Sequence, residues 1–219
     1  FEYFKNIKNL KYQFYDGTII SRNSILNSIY ENIETNIIIN YEADFFIYPI
    51  AILNCIEKLR KEEYYFAIPF KGKALFYNKK TSEIIKKNKK VPEFKNHLYE
   101  LDEQLDIKFP FCFPIKMNYH YGLCWIFQKQ TYKKIGFDNP QMVGWGYEDF
   151  ERYIRTKKLG FDIYHSDIGV GYHLWHPRNS VFYSYDESIN ITEMKKIDSL
   201  TKDELKIYIF TWSLNTKQN

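Results

Sequence analysis

The sequence predicts an α/β fold in which a central mixed sheet is flanked by helices, and three observations carry that expectation. Apolar residues alternate between helical and strand periods along the chain, short apolar runs end in acidic residues, and no Gly/Ser/Pro-rich stretch divides the 219 residues. One domain spanning 1–219 follows, large enough for a single core. The chain opens at Phe1 without a charged leader and apolar stretch, so the reading is of a domain truncated at its N-terminus.

Leu10 to Tyr15 is strand-like and closes on the turn pair Asp16-Gly17. From Asn23 to Ile33, the residues Ile25, Leu26, Ile29 and Ile33 share one helix face. Ile37-Ile38-Ile39 reads as a buried strand that runs into Glu42-Ala43-Asp44. A helix over Ile50 to Leu59 is followed by strands at Tyr64 to Ile68 and Ala74 to Tyr77. Between Lys79 and Lys108 the chain is densely charged, and Lys86 to Lys90 form a solvated face. Leu123 to Phe127 predicts a strand, Lys129 to Ile135 a short helix, and Glu148 to Lys158 a helix stopped by Gly160. Strands at Phe161 to Tyr164 and Val170 to His173 precede a tail with a helix after Asn190 that packs on the core.

Composition excludes several classes. No apolar run reaches the roughly 18–20 residues needed to span a bilayer. The net charge of +4 is spread through the chain, and its Lys runs lack the interleaved aromatics of a stacking platform, so no nucleic-acid partner is expected. Cys55, Cys112 and Cys124 lack paired C-x-x-C spacing and are expected as small buried residues. That usage suits a reducing compartment, hence a cytoplasmic protein that is at most peripheral to a membrane. Aromatic residues make up 19%, including 20 Tyr, more ring surface than such a core needs; some should line a ligand cleft, where sugar faces stack well.

Three constellations carry chemistry. Glu42-Ala43-Asp44 places two carboxylates at the carboxyl end of a strand, where strand alternation sends both side chains the same way. They suit a hard divalent ion bridging to diphosphate oxygens; solvation or helix capping is the plainer use of such a pair. Gly144-Trp145-Gly146-Tyr147-Glu148-Asp149 is a glycine-flexed loop entering a helix whose first turn holds adjacent carboxylates. Glu148 and Asp149 point about 100° apart, which divides them between sugar binding and base catalysis, against a capping pair braced by Glu148–Arg152 and Glu151–Arg155 contacts at i,i+4. Glu151, Arg152 and Arg155 are read as that bracing. Tyr172-His173-Leu174-Trp175-His176-Pro177-Arg178 sets two imidazoles around an aromatic at a strand end. Either can complete a metal site with Asp44, which favours Mn²⁺ over Mg²⁺, and Arg178 can grip a phosphate. His97, His120 and His165 are read as packed residues.

Taken in order, Ser21-Arg22-Asn23, Ile37-Ile38-Ile39 with Glu42-Ala43-Asp44, Gly144 to Asp149, and His173-Leu174-Trp175-His176-Pro177 resemble A-type glycosyltransferases over most of the chain. The Trp145 to Asp149 segment, with Ile135-Gly136-Phe137-Asp138 as lead-in, resembles the β-1,4-galactosyltransferase and chondroitin-polymerase group. The resemblance implies the A-type, nucleotide-diphospho-sugar transferase fold, with a Rossmann-like sheet. It implies transfer of a hexose or N-acetylhexosamine from a UDP-sugar to a hydroxyl of a glycan, lipid or protein acceptor, with Mn²⁺ or Mg²⁺ as cofactor. By the same resemblance Asp44 is the D-x-D metal ligand, and His173 or His176 is a further ligand. Arg22 contacts the donor phosphates, Asn23 and Glu42 are further donor-binding residues, and Trp145 and Gly146 shape the donor-sugar and acceptor pocket. Glu148 binds sugar hydroxyls, and Asp149 is the base of an inverting displacement. The chain departs from the pattern in starting the D-x-D motif with Glu42 and in showing no nucleotide-binding strand before Phe1. The rival reading is a catalytically degenerate carbohydrate-binding or scaffold domain.

Overall fold

In the computed structural model the described residues are 22–70, 74–77, 79–88, 121–144, 146–168, 171–177 and 187–215. The expected strand at Leu10 to Tyr15, Ser21, Cys112, His97, His120, and the two site candidates Trp145 and Arg178 lie outside them.

Two mixed sheets organise the chain. The first runs in the order β1 (Ile37–Tyr41), β5 (Cys124–Gln128), β3 (Phe66–Ile68), β6 (Ile163–His165); β5 is antiparallel to both neighbours and β3 is parallel to β6. The central strands β5 and β3 are buried along their whole length, as their unbroken apolar runs require. β1 departs from expectation. Among the described residues its one strand partner is β5, and Ile38 is buried while Ile39 and Tyr41 face out. The second sheet is β2 (Phe45–Phe46), β7 (Gly171–His173) and β4 (Ala74–Phe76), with β7 antiparallel to β2 and parallel to β4.

Helices cover the first sheet. α1 (Arg22–Asn32) lays Tyr30 edge-on against Phe127, and its other buried side chain is polar Asn23. α2 (Pro49–Arg60) starts with proline at its first position and buries Ala51, Cys55 and Leu59. α3 (Lys79–Asn88) was read from sequence only as a charged stretch; it is a helix that buries Ser82 and Ile85 and leaves Lys86 and Lys87 exposed. α4 (Lys129–Lys134) follows β5 directly. α5 (Glu148–Lys158) ends at Gly160, whose φ of 94° suits the left-handed turn beyond a helix. The tail forms two helices, α6 (Glu187–Ser199) and α7 (Lys202–Asn215). Thr201 and Glu204 bond reciprocally as a capping box at the start of α7, and Ile197, Leu205, Ile209 and Trp212 join the core. Cys55 and Cys124 are free and buried, as expected. Among the described residues no helix is long and apolar enough to cross a membrane.

The join of β2 to β7 depends on one glycine. A Cβ at Gly171 would stand 2.1 Å from Cζ of Phe45, which is buried on every side. Gly171→Ala should therefore force the two strands apart and destabilise the fold by about 1–3 kcal/mol, read as a lowered midpoint in thermal or urea unfolding; an unchanged midpoint would show that Phe45 can move.

Candidate active site

Asp44 and the two histidines are assembled by strand pairing. The register of β2 with β7 sets Phe45 opposite His173, and Leu174 N–H donates to the Asp44 carbonyl over 2.8 Å. Asp44 Oδ2 then lies 3.7 Å from His173 Nε2 and 3.2 Å from His176 Nε2. One ligand atom from each of the three lies within 4.8 Å of the others, close enough to converge on one ion. The His176 ring is held on its far side, with Nδ1 3.2 Å from the Pro177 carbonyl. If Nδ1 carries the proton, Nε2 presents a lone pair to a carboxylate, which only a cation or a second proton can reconcile. The loop is anchored from α3, because Trp175 N–H donates to Ser82 Oγ over 2.8 Å. Ser82 was not foreseen, since a buried serine in a lysine-rich stretch has no sequence signature.

Glu42 parts company with Asp44. A turn at Ala43-Asp44, closed by Phe45 N–H to the Glu42 carbonyl, ends the strand alternation that was expected to send the two side chains the same way. Glu42 instead accepts from Arg22 Nη2 at 3.4 Å and is absent from the three-residue metal cluster.

Glu148 and Asp149 sit at the first turn of α5, reached through Tyr147 in the left-handed region, φ 66°, and Gly146, φ 110°. Glu148 folds back on this loop. Its Oε2 accepts the Gly146 N–H at 2.7 Å, and its Oε1 accepts from Arg22 Nη1 at 3.2 Å. From α6, Asn190 donates to the carbonyls of Gly146 and Val143 and accepts from Val143 N–H, a clamp that sequence reasoning missed. Asp149 remains about one-third exposed, with Oδ1 receiving Arg152 Nη1 at 2.8 Å. The expected Glu148–Arg152 pair is replaced by Asp149–Arg152, and Arg152 is buried rather than solvated, its Nε donating to Asp138 at 2.7 Å. The expected Glu151–Arg155 pair forms at 2.6 Å, also fully buried.

Arg22, Asn40, Glu42, Gly122, Asp149 and Arg152 line one small cleft. Arg22 stands between Glu42 and Glu148, rather than open to a phosphate on all sides. Asn23, the neighbouring candidate for donor binding, is buried and ties α1 to the Asn139 carbonyl at 2.8 Å, so its side chain faces the interior. Burial, then the charge of Asp149, raises the Glu42 carboxyl, with Asp44 adding and Arg22 and His176 opposing. Glu42 is thus within electrostatic reach of both the histidine cluster and the α5 carboxylates. For Arg22, burial works to lower the guanidinium, but Asp149, Glu148 and Glu42 outweigh it. Burial, helped by Asp149, pushes Glu148 up to about 7 against its backbone hydrogen bond, Arg22 and Arg152.

With this geometry in place, residues 105–177 match the profile of a family described as the N-terminal domain of galactosyltransferase. The matched third of the chain contains Glu148, Asp149, His173 and His176, and over that third the chain is similar to glycosyltransferases; the fold around it is mixed α/β, with helices flanking the sheets. No curated protein matches the chain. A crystal structure of GalNAc-T7 with UDP, GalNAc and Mn²⁺ matches at 14% identity and a TM-score of 0.30, over 42% of this chain and 17% of that one.

Glu148 binds its proton more tightly when folded than its ordinary carboxylate range allows, so the folded state holds more protons than the unfolded state between about pH 4.5 and 7. Stability therefore falls as pH rises through that window. Glu148→Gln should be more stable than the parent above pH 7, by up to roughly 3 kcal/mol, with the difference fading below pH 5. Urea unfolding at pH 5 and 8 checks this, and a gain that is equal at both pH values would contradict it.

Proposed function

We propose that the chain is a metal-dependent glycosyltransferase of the β-1,4-galactosyltransferase-like kind, transferring a hexose or N-acetylhexosamine from a UDP-sugar to an acceptor hydroxyl with inversion. The observation that carries this reading is the convergence of Asp44, His173 and His176 within electrostatic reach of Glu42, which lines one cleft with Asp149 and Arg22, the latter bonded to Glu148. Two imidazoles and one carboxylate suit Mn²⁺ better than Mg²⁺. When bound there, the ion would supply positive charge for the departing diphosphate.

The chain's own residues divide the remaining work. Asp149, partly exposed and fixed through one oxygen, takes the proton from the acceptor hydroxyl as it attacks the anomeric carbon. Glu148, anchored by the Gly146 amide and Arg22, accepts or donates a hydrogen bond to a sugar hydroxyl, since near pH 7 both protonation states are populated. Arg22 bridges Glu42 and Glu148, offsets their mutual repulsion and adds positive charge to the cleft. Trp145 keeps the role at the sugar pocket that the sequence resemblance gives it, and Arg178 the phosphate grip read from its place after the two histidines.

Incubation with a panel of nucleotide sugars tests the reading. One donor should be consumed only with Mn²⁺; Asp149→Asn should lower turnover by about 10²- to 10⁴-fold with metal affinity retained, and Asp44→Asn should weaken Mn²⁺ binding itself. Glycan binding with no turnover of any donor would replace this reading by the carbohydrate-binding one.

A further inference from the structure

Arg152 is drawn away from water on the same helix as Asp149, retaining 2% of its exposure. A buried Arg–Asp pair is seldom a net source of stability, because desolvation offsets the attraction. This one is also incompletely satisfied: Arg152 Nη2 and Asp138 Oδ2 have no hydrogen-bond partner among the described residues. Such a pair calls for a use other than holding the core together.

The contacts point to that use. The planar guanidinium sends Nε to Asp138 at 2.7 Å and Nη1 to Asp149 at 2.8 Å, so the direction of one bond fixes the direction of the other. Asp138 cannot swing. Its carboxylate accepts Tyr132 O–H at 2.5 Å, and its backbone exchanges two hydrogen bonds with the Asn27 side chain, at 2.9 and 2.8 Å. On the other side, Asp149 Oδ2 lies where a Cβ of residue 122 would stand 2.0 Å away, a space open only because residue 122 is glycine. Oδ1 is held by the guanidinium and Oδ2 lies along the wall of the cleft. Arg155, three residues on, makes the contrast. It clasps Glu151 and the carbonyls of Ile135 and Phe137 and touches no carboxylate of the cleft.

We infer that Arg152, oriented by Asp138, is a positioning residue that aims the Asp149 carboxylate at the acceptor hydroxyl. The inference rests on the reading of Asp149 as the base. It assigns Arg152 and Asp138 no contact with substrate, and their effect is confined to the chemical step.

Two variants test it: Arg152→Lys, which keeps the charge and loses the fork, and the double variant Asp138→Asn with Arg152→Gln, which removes both buried charges at once. Affinity for UDP in the presence of Mn²⁺ is measured by calorimetry, and kcat and the donor KM with the donor that the unmodified chain consumes. Both variants should bind UDP as the unmodified chain does and keep its KM, while kcat falls on the order of 10²-fold, as expected for a misaimed catalytic group. Wild-type kcat in either variant overturns the inference, and so does a parallel loss of UDP affinity and kcat in both, which is the mark of a purely structural pair. An unmodified chain that neither binds UDP with Mn²⁺ nor turns over a donor sinks the function reading itself, an outcome distinct from the other two.

Discussion

Four charged side chains in two turns of α5, Glu148, Glu151, Arg152 and Arg155, are almost wholly withdrawn from water. Each such ion costs several kcal/mol to desolvate, so the surrounding chain has to be arranged to meet them. α1 supplies Arg22 to Glu148, the loop after α4 supplies Asp138 to Arg152, and the carbonyls of Ile135 and Phe137 receive Arg155. The packing of α1 and α4 around the start of α5 is therefore dictated as much by charge satisfaction as by apolar contact. The carboxylate left outside this accounting is Asp149, which is still one-third exposed and open to a reactant.

The second constraint is the register between β2 and β7. It places Asp44 beside two histidines that stand more than half the chain's length further along the sequence. Gly171 permits the close approach of the strands, and Ser82 pins the loop that carries His176. Glu42, in the same turn as Asp44, feels both the candidate metal cluster and Asp149 on α5. A donor lying across Glu42 would have its diphosphate near the histidines and its sugar near α5, the polarity that transfer to an acceptor at Asp149 demands.

Much of this was legible in sequence because it depends on local pattern. Helix and strand periods located most described elements, though not β2, α3 or the division of the tail into α6 and α7, and the Gly-x-Gly turn into adjacent carboxylates marked the start of α5. What was hidden depends on tertiary partners. Arg152 and Arg155 stand at spacings that read as a braced, solvated helix face, and nothing local announces that Asp138 and two carbonyls will bury them. That β1 stands at one end of the strand order of the described residues follows from topology, which a single apolar run cannot disclose. Asn190, Ser82 and Gly122 act through one hydrogen bond or one missing methyl group, and only the folded chain shows what they face.

The central claim is that Asp44, His173 and His176 hold the ion that meets the donor's diphosphate. Pulsed electron paramagnetic resonance of Mn²⁺ added to the protein with UDP tests it directly, since it reads nitrogen and phosphorus nuclei bound at the ion. The account predicts two imidazole nitrogen couplings, one lost in His173→Ala and one in His176→Ala, together with phosphorus couplings from UDP. A spectrum showing UDP and water alone, with no nitrogen and no response to either substitution, would contradict it.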